Sequence, residues 1–154
     1  MVKENEKAPP FSLPDSNGKK FSLKDFKGKR VVLYFYPKDD TPGCTIEACG
    51  FRDMAPEFEK RGAAILGISP DDEASHTKFA EKYKLPFTLL ADAEAKVATA
   101  YGVWSEKSML GKKYMGIDRT TFLIGKDGKI EKIFEKVNPL GHNKEVLSWL
   151  DENQ

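Results

Sequence analysis

Hydrophobic and polar positions along this chain switch between two periods, and each switch marks an element. Residues 31–36, VVLYFY, form an unbroken apolar run of β-branched and aromatic side chains, the pattern of a strand buried on both faces. Pro37 ends the run, and Lys38-Asp39-Asp40 is a polar loop. Thr41-Pro42 is a helix start: a hydroxyl to cap free amides, then a proline with no N–H to lose. Apolar positions then recur at helical spacing (Ile46, Phe51, Met54, Phe58) to about Lys60, with a kink or break expected at Pro56. Residues 63–69, AAILGIS, predict a second buried strand. Ser69-Pro70-Asp71-Asp72-Glu73 opens another helix that ends near Lys84, Leu85–Leu90 predicts a third strand, and a short helix is expected near Ala93–Tyr101.

Toward the C-terminus, residues 120–124 and 130–134 predict a β-hairpin turning at Asp127-Gly128. Asn143–Leu150 predicts an amphipathic helix with Val146, Leu147 and Leu150 inward. Near the N-terminus, two short apolar segments within residues 8–26 flank Asp15-Ser16-Asn17-Gly18, a second hairpin signal. Trp104–Ile117 is rich in glycine and lysine, follows neither period, and is expected to be a long loop. Strands alternating with helices, then a hairpin and a closing helix, predict an α/β three-layer sandwich with a central mixed β-sheet. A single domain over residues 1–154 is long enough to bury a substantial core.

Charge and composition narrow the function mainly by exclusion. Twenty-five basic against 24 acidic side chains leave a net charge of +1, which gives no electrostatic case for nucleic acid or an anionic membrane. The N-terminal MVKENEKAPP lacks the apolar core of a secretory signal, and no apolar run approaches the ~18 residues of a membrane helix. The expectation is a cytoplasmic protein in a reducing compartment, where a permanent disulfide is disfavoured.

Candidate chemistry centres on Cys44 and Cys49, both in the first turns of the helix that follows Pro42. The free amides and positive dipole end at a helix start favour a thiolate. An ordinary cysteine, of pKa ~8.5, is only ~3% thiolate at pH 7. Nucleophilicity falls with basicity, so ionising the sulfur alone gains only a few-fold in rate; a fast enzyme also needs amides and a cation aimed at the leaving atom. Five helical residues separate two Cα atoms by about 8.6 Å, beyond the ~7 Å that a disulfide tolerates. The two cysteines therefore either never pair or pair only when the helix unwinds. Inert buried cysteines and a non-catalytic redox sensor remain open on these grounds. A metal site is disfavoured because the other strong ligands, His76 and His142, lie far apart in sequence, and both are expected to be solvated. The C-x-x-C of a disulfide reductase is absent.

The string Tyr36-Pro37-Lys38-Asp39-Asp40-Thr41-Pro42-Gly43-Cys44-Thr45 resembles the active-site loop of peroxiredoxins, more narrowly of the bacterioferritin-comigratory-protein or PrxQ subfamily. Pro37, Thr41 and Cys44 meet its Pro-x-x-x-Thr-x-x-Cys pattern, and Cys49 stands where that subfamily carries its resolving cysteine. The likeness extends to Ala8-Pro9, Phe11-Ser12-Leu13, Phe26-Lys27-Gly28-Lys29, Phe51-Arg52-Asp53, Tyr101-Gly102-Val103-Trp104 and Arg119-Thr120-Thr121-Phe122-Leu123-Ile124. The resemblance implies a thioredoxin-like fold and a cofactor-free, metal-free, monomeric peroxidase of the atypical two-cysteine type. Its substrates would be hydrogen peroxide and small organic hydroperoxides. Cys44 would be the nucleophile that becomes a sulfenic acid, with Thr41 placing its hydroxyl beside the peroxide and Pro37 shielding the sulfur. The Gly43 and Cys44 amides would donate to the bound oxygens, and Arg119 would supply the cation. Cys49 would close an intramolecular disulfide, reduced in turn by thioredoxin or a similar dithiol.

Overall fold

The computed structural model describes residues 1–154. Its centre is a five-stranded sheet built on β3 (Arg30–Phe35), the apolar run that the sequence marks most strongly. Two further strands, β4 (Ala63–Ser69) and β5 (Thr88–Ala91), continue from one side of β3 in parallel. On the other side β8 (Thr120–Ile124) pairs antiparallel to β3, and β9 (Ile130–Phe134) pairs antiparallel to β8. The sheet order is therefore β5-β4-β3-β8-β9, mixed as expected.

Strand periodicity sorts the side chains of β3 and Tyr36 into two cores. Val31, Leu33 and Phe35 face a cluster that includes Leu66, Ile68, Tyr101 and Phe122. That face is covered by α4 (Lys96–Tyr101) and by the N-terminal segment through Ala8 and Phe11. Val32, Tyr34 and Tyr36 face the opposite cluster, under α1 (Pro42–Asp53), α2 (Ala55–Lys60), α3 (Glu73–Tyr83) and α5 (His142–Glu152). Three layers result. Cys44 belongs to the second cluster.

Local chemistry accounts for the element limits. Pro56 splits the long helical pattern into α1 and α2, the first ending at Asp53 and the second beginning at Ala55. α3 starts where the Asp72 carboxylate accepts from the Ser75 amide at 2.8 Å and stops at Lys84, in the left-handed conformation with φ 51°. β5 begins at Thr88 rather than Leu85, beyond Pro86, which has no amide to give a ladder. α4 begins at Lys96, with the buried Asp92 carboxylate accepting from the Val97 and Ala98 amides. The N-terminal hairpin pairs β1 (Ser12–Pro14) with β2 (Lys20–Ser22), its turn held by Asp15.

Residues 104–117 correct the expectation of a loop. They form a two-stranded hairpin of β6 (Trp104–Met109) and β7 (Lys112–Ile117). Leu110 and Gly111 make the turn with φ 51° and 79°, the left-handed pair that a two-residue hairpin requires. Most of its side chains face solvent, so no alternation of apolar and polar residues betrays the strands.

Gly67 shows how tightly the site-bearing face is packed. It pairs with Tyr34 across β3 and β4, and a Cβ there would lie 2.9 Å from the Tyr34 ring and 2.9 Å from the Leu89 side chain. Gly67→Ala is expected to push the Tyr34 ring out of place at a cost of about 1–3 kcal/mol. Chemical denaturation would measure it; a stability within a few tenths of a kcal/mol of wild type would contradict this packing.

Candidate active site

The carboxyl ends of parallel strands are where open α/β sheets usually gather their ligands, and the cysteine lies at that end of β3. The chain leaves β3 through Tyr36 and half-buried Pro37, crosses the loop and enters α1. The first backbone bond of α1 runs from the Thr45 amide to the Thr41 carbonyl at 2.9 Å. The amides of Gly43 and Cys44 accordingly have no acceptor within the helix. Cys44, in the first turn, is 1% exposed.

Thr41 occupies the cap position by its backbone, but its hydroxyl caps nothing and donates instead to the Lys38 carbonyl at 2.8 Å. This corrects the expectation of a side-chain cap. The physical effect is to leave the helix amides open and the lone pairs of Thr41 Oγ1 free to accept.

Arg119 enters from the other side of β3. It immediately precedes β8, whose Thr120 pairs with Phe35, and its carbonyl accepts from the Val137 amide. Its Nη2 lies 3.4 Å from Cys44 Sγ. Its Nη1 donates at 2.7 Å to Glu47 Oε1. The structure thus brings Thr41, Cys44 and Arg119 to one place, with Pro37 on the same loop. Cys49 lies further along α1, half-buried, and both cysteines are free thiols.

Several residues of the site escape the sequence reading. Glu47 is 1% exposed, and its Oε2 has no hydrogen-bond partner. Burial raises its proton affinity against the pull of Arg119, moving the carboxyl up from 4.5 to about 7. The available signal was spacing, since Glu47 is three residues beyond Cys44 and shares its helix face. Arg119 is itself pulled down by burial, but the nearby Glu47 and Cys44 outweigh this and strengthen its hold on the proton. Tyr34 lies beneath, its hydroxyl buried, unpaired and held neutral chiefly by desolvation.

The loop is clamped from α3. Asp39 accepts from Tyr36 Oη at 2.6 Å and Ser75 Oγ at 2.7 Å, and its Oδ2 lies 2.7 Å from His76 Nδ1. Asp40, with φ 56°, accepts from Lys82 Nζ and Tyr83 Oη, each at 2.8 Å. These contacts hold the Asp40 carboxyl below the usual range. Both histidines contradict the expectation of solvation. His76 is 0% exposed, with Nε2 3.0 Å from the Leu90 carbonyl. His142 is 2% exposed and sits between Thr121 Oγ1 and Glu145 Oε1. Burial lowers its proton affinity despite Glu145, and the charge of Arg119 lowers it further. A neutral ring there donates from Nδ1 to Glu145 and accepts the Thr121 hydroxyl at Nε2. Apart from Glu145, one turn along the same helix as His142, these partners come from other elements.

Comparison with known proteins places this geometry in a family. The model of the AhpC/TSA family matches residues 5–133. The peroxiredoxin Bcp of Escherichia coli is 50% identical over 152 residues, covering 99% of this chain and 97% of its own. Among solved structures, PrxQ of Xylella fastidiosa superposes with a TM-score of 0.93 at 35% identity, over 99% of this chain and 97% of that one. The bacterioferritin comigratory protein of Xanthomonas campestris, described for its alkyl peroxide reduction activity, superposes with a TM-score of 0.88 at 40% identity, over 92% and 90%. With a cysteine and an arginine meeting where α1 begins, and with these relatives spanning nearly its full length, the chain belongs to the AhpC/TSA family as a peroxiredoxin of the Bcp/PrxQ kind.

Proposed function

We propose that this peroxiredoxin is a thiol-dependent peroxidase in which Cys44 is the nucleophile, acting on hydrogen peroxide and small organic hydroperoxides. The observation that carries this reading is the approach of Arg119 Nη2 to Cys44 Sγ at 3.4 Å, beside the open amides of α1. A thiolate attacks one peroxide oxygen and becomes a sulfenic acid while the other oxygen leaves with the electron pair. Arg119 and the Gly43 and Cys44 amides stabilise the negative charge moving through that transition state. The Thr41 hydroxyl has its proton engaged by Lys38, so its oxygen accepts from the peroxide and orients it. Pro37 walls the pocket without offering a donor.

Cys49 then attacks the sulfenic acid. In an intact α1 the two Cα atoms are about 8.6 Å apart, so the disulfide forms only after the segment between them unwinds. Thioredoxin or a similar dithiol reduces that disulfide. The protein works as a single domain, a monomer in the cytoplasm, with no cofactor or metal in its cycle.

Cys44→Ser is expected to reduce peroxide consumption to the uncatalysed background, and near-wild-type turnover would move the nucleophile elsewhere. Cys49→Ser should complete one fast turnover and then stall as a sulfenic acid open to over-oxidation. Full-speed cycling of that variant with thioredoxin would remove the resolving role. Arg119→Ala should slow the peroxide step by about 10²-fold, the usual effect of deleting one charge-stabilising donor, and leave re-reduction nearly unchanged. Stopped-flow traces with the defect confined to re-reduction would contradict that assignment.

A further inference from the structure

Arg119 is one cation between two acids. Its Nη2 faces Cys44 Sγ and its Nη1 faces Glu47 Oε1, on the same helix one turn apart. The other titratable groups around them add no positive charge. Tyr34 on β3 is neutral with an unpartnered hydroxyl, and His142 on α5 is kept neutral by burial and by Arg119 itself. If Cys44 and Glu47 were ionised together, one negative charge would lie uncompensated where water is excluded, and Glu47 Oε2 would have no donor to satisfy it.

We propose that Glu47 is the proton reservoir of the peroxide cycle, protonated while Cys44 is a thiolate and ionised once the cysteines are joined as a disulfide. The proposal rests on the roles given above to Cys44 and Cys49. The thiolate attacks, the O–O bond breaks, and sulfur is oxidised while the leaving oxygen departs as hydroxide or alkoxide. The Glu47 proton converts that oxygen to water or an alcohol. Cys49 then displaces the sulfenic oxygen, which leaves as a second water with the Cys49 proton. The unwinding of α1 that lets the disulfide form takes Glu47 from a dry site to water. When a dithiol restores the two sulfurs, one of its protons returns to Cys49 and the other to Glu47, so the cycle closes without a proton from solvent.

Burial supports this by setting the range in which the reservoir works. The carboxyl holds its proton up to about pH 7 inside the site, against 4.5 in solvent, so between those values it enters the peroxide step protonated and, once α1 has unwound, stays ionised. Above that range the reduced site loses the proton beforehand and the exchange disappears.

The test adds one equivalent of hydrogen peroxide to reduced protein at about pH 6, inside this range, in weak buffer with an indicator dye. Intact mass is read on the same sample. The wild type is expected to lose two hydrogens and take up no net proton, whereas Glu47→Gln takes up one proton per disulfide. Redox-difference infrared spectra of the wild type should show a neutral carboxylic-acid carbonyl replaced by a carboxylate, a change missing from Glu47→Gln. This readout needs no variant to fold, and a purely structural Glu47 would not produce it. Uptake of one proton per disulfide by the wild type, without the carbonyl signal, overturns the reservoir and leaves the cysteine roles intact. Absence of the two-hydrogen mass loss overturns the cysteine roles and the reservoir with them.

Discussion

A guanidinium held against a buried sulfur is the constraint on which this structure turns. Charge–charge attraction is several-fold stronger in a dry site than in water, but only when the partners are fixed in advance. Neither Cys44 nor Arg119 is placed by its immediate neighbours alone. The cysteine is carried by α1, which leaves the middle strand of the sheet, and the arginine by the segment entering β8, which pairs with that strand. With β3 buried on both faces and paired on both edges, the two groups are referred to one rigid element. A register slip of one residue between β3 and β8 would move Arg119 off the sulfur and turn every apolar side chain of the strand to the wrong core.

Rigidity of the sheet would be wasted if the connecting loop were loose. Residues 37–41 carry Pro37 and Thr41 on a short irregular path, with Asp40 in a left-handed conformation that a non-glycine residue adopts only under constraint. The constraint comes from α3. Asp39 is received by Tyr36, Ser75 and His76, and Asp40 by Lys82 and Tyr83. The Asp39 cluster is buried, so its bonds are made in a medium where breaking them is expensive. The exposed Asp40 pair contributes less. Together they hold the Thr41 backbone at the helix start, so that its hydroxyl is not needed as a cap.

Much of this was legible in the sequence, and the failures share a cause. Buried strands and the Pro42 helix start announce themselves locally, through apolar runs and turn residues, so β3, β4, the β8–β9 hairpin and α1 follow from pattern. Pro56 as a break and the inward face of α5 follow in the same way. The β6–β7 hairpin escapes the pattern because, apart from Trp104 and Ile117 at its base, most of its side chains face solvent, and exposure erases the alternation that marks a strand. His76 and His142 carry no local sign of burial, because Asp39, Leu90 and Thr121 reach them from other elements. Glu47 looked like any acidic residue on a charged helix. Spacing places it on the face of Cys44, but its partner Arg119 lies 72 positions away.

Resolution by Cys49, as proposed, sets two demands on α1 that pull against each other: order during attack, and disorder when the thiols pair. The packing of the helix divides it between them. Gly50 is latched by the Asn143 side chain, whose Nδ2 donates to its carbonyl at 2.8 Å, a single bond of about 0.5–1.5 kcal/mol. Phe51, fully buried against Tyr34 and Phe58, represents about 1.5–3 kcal/mol of hydrophobic burial, and Arg52 ties the same end to the Tyr83 carbonyl. Melting that stops at Gly50 breaks this latch and the Arg119–Glu47 contact and frees Cys49, while every aromatic anchor stays in place. Melting one residue further would pull an aromatic side chain out of the core. Cys49 therefore lies near the limit of what can move cheaply, and the firm anchorage beginning at Phe51 would let the helix re-form from its C-terminal end once the thiols are restored.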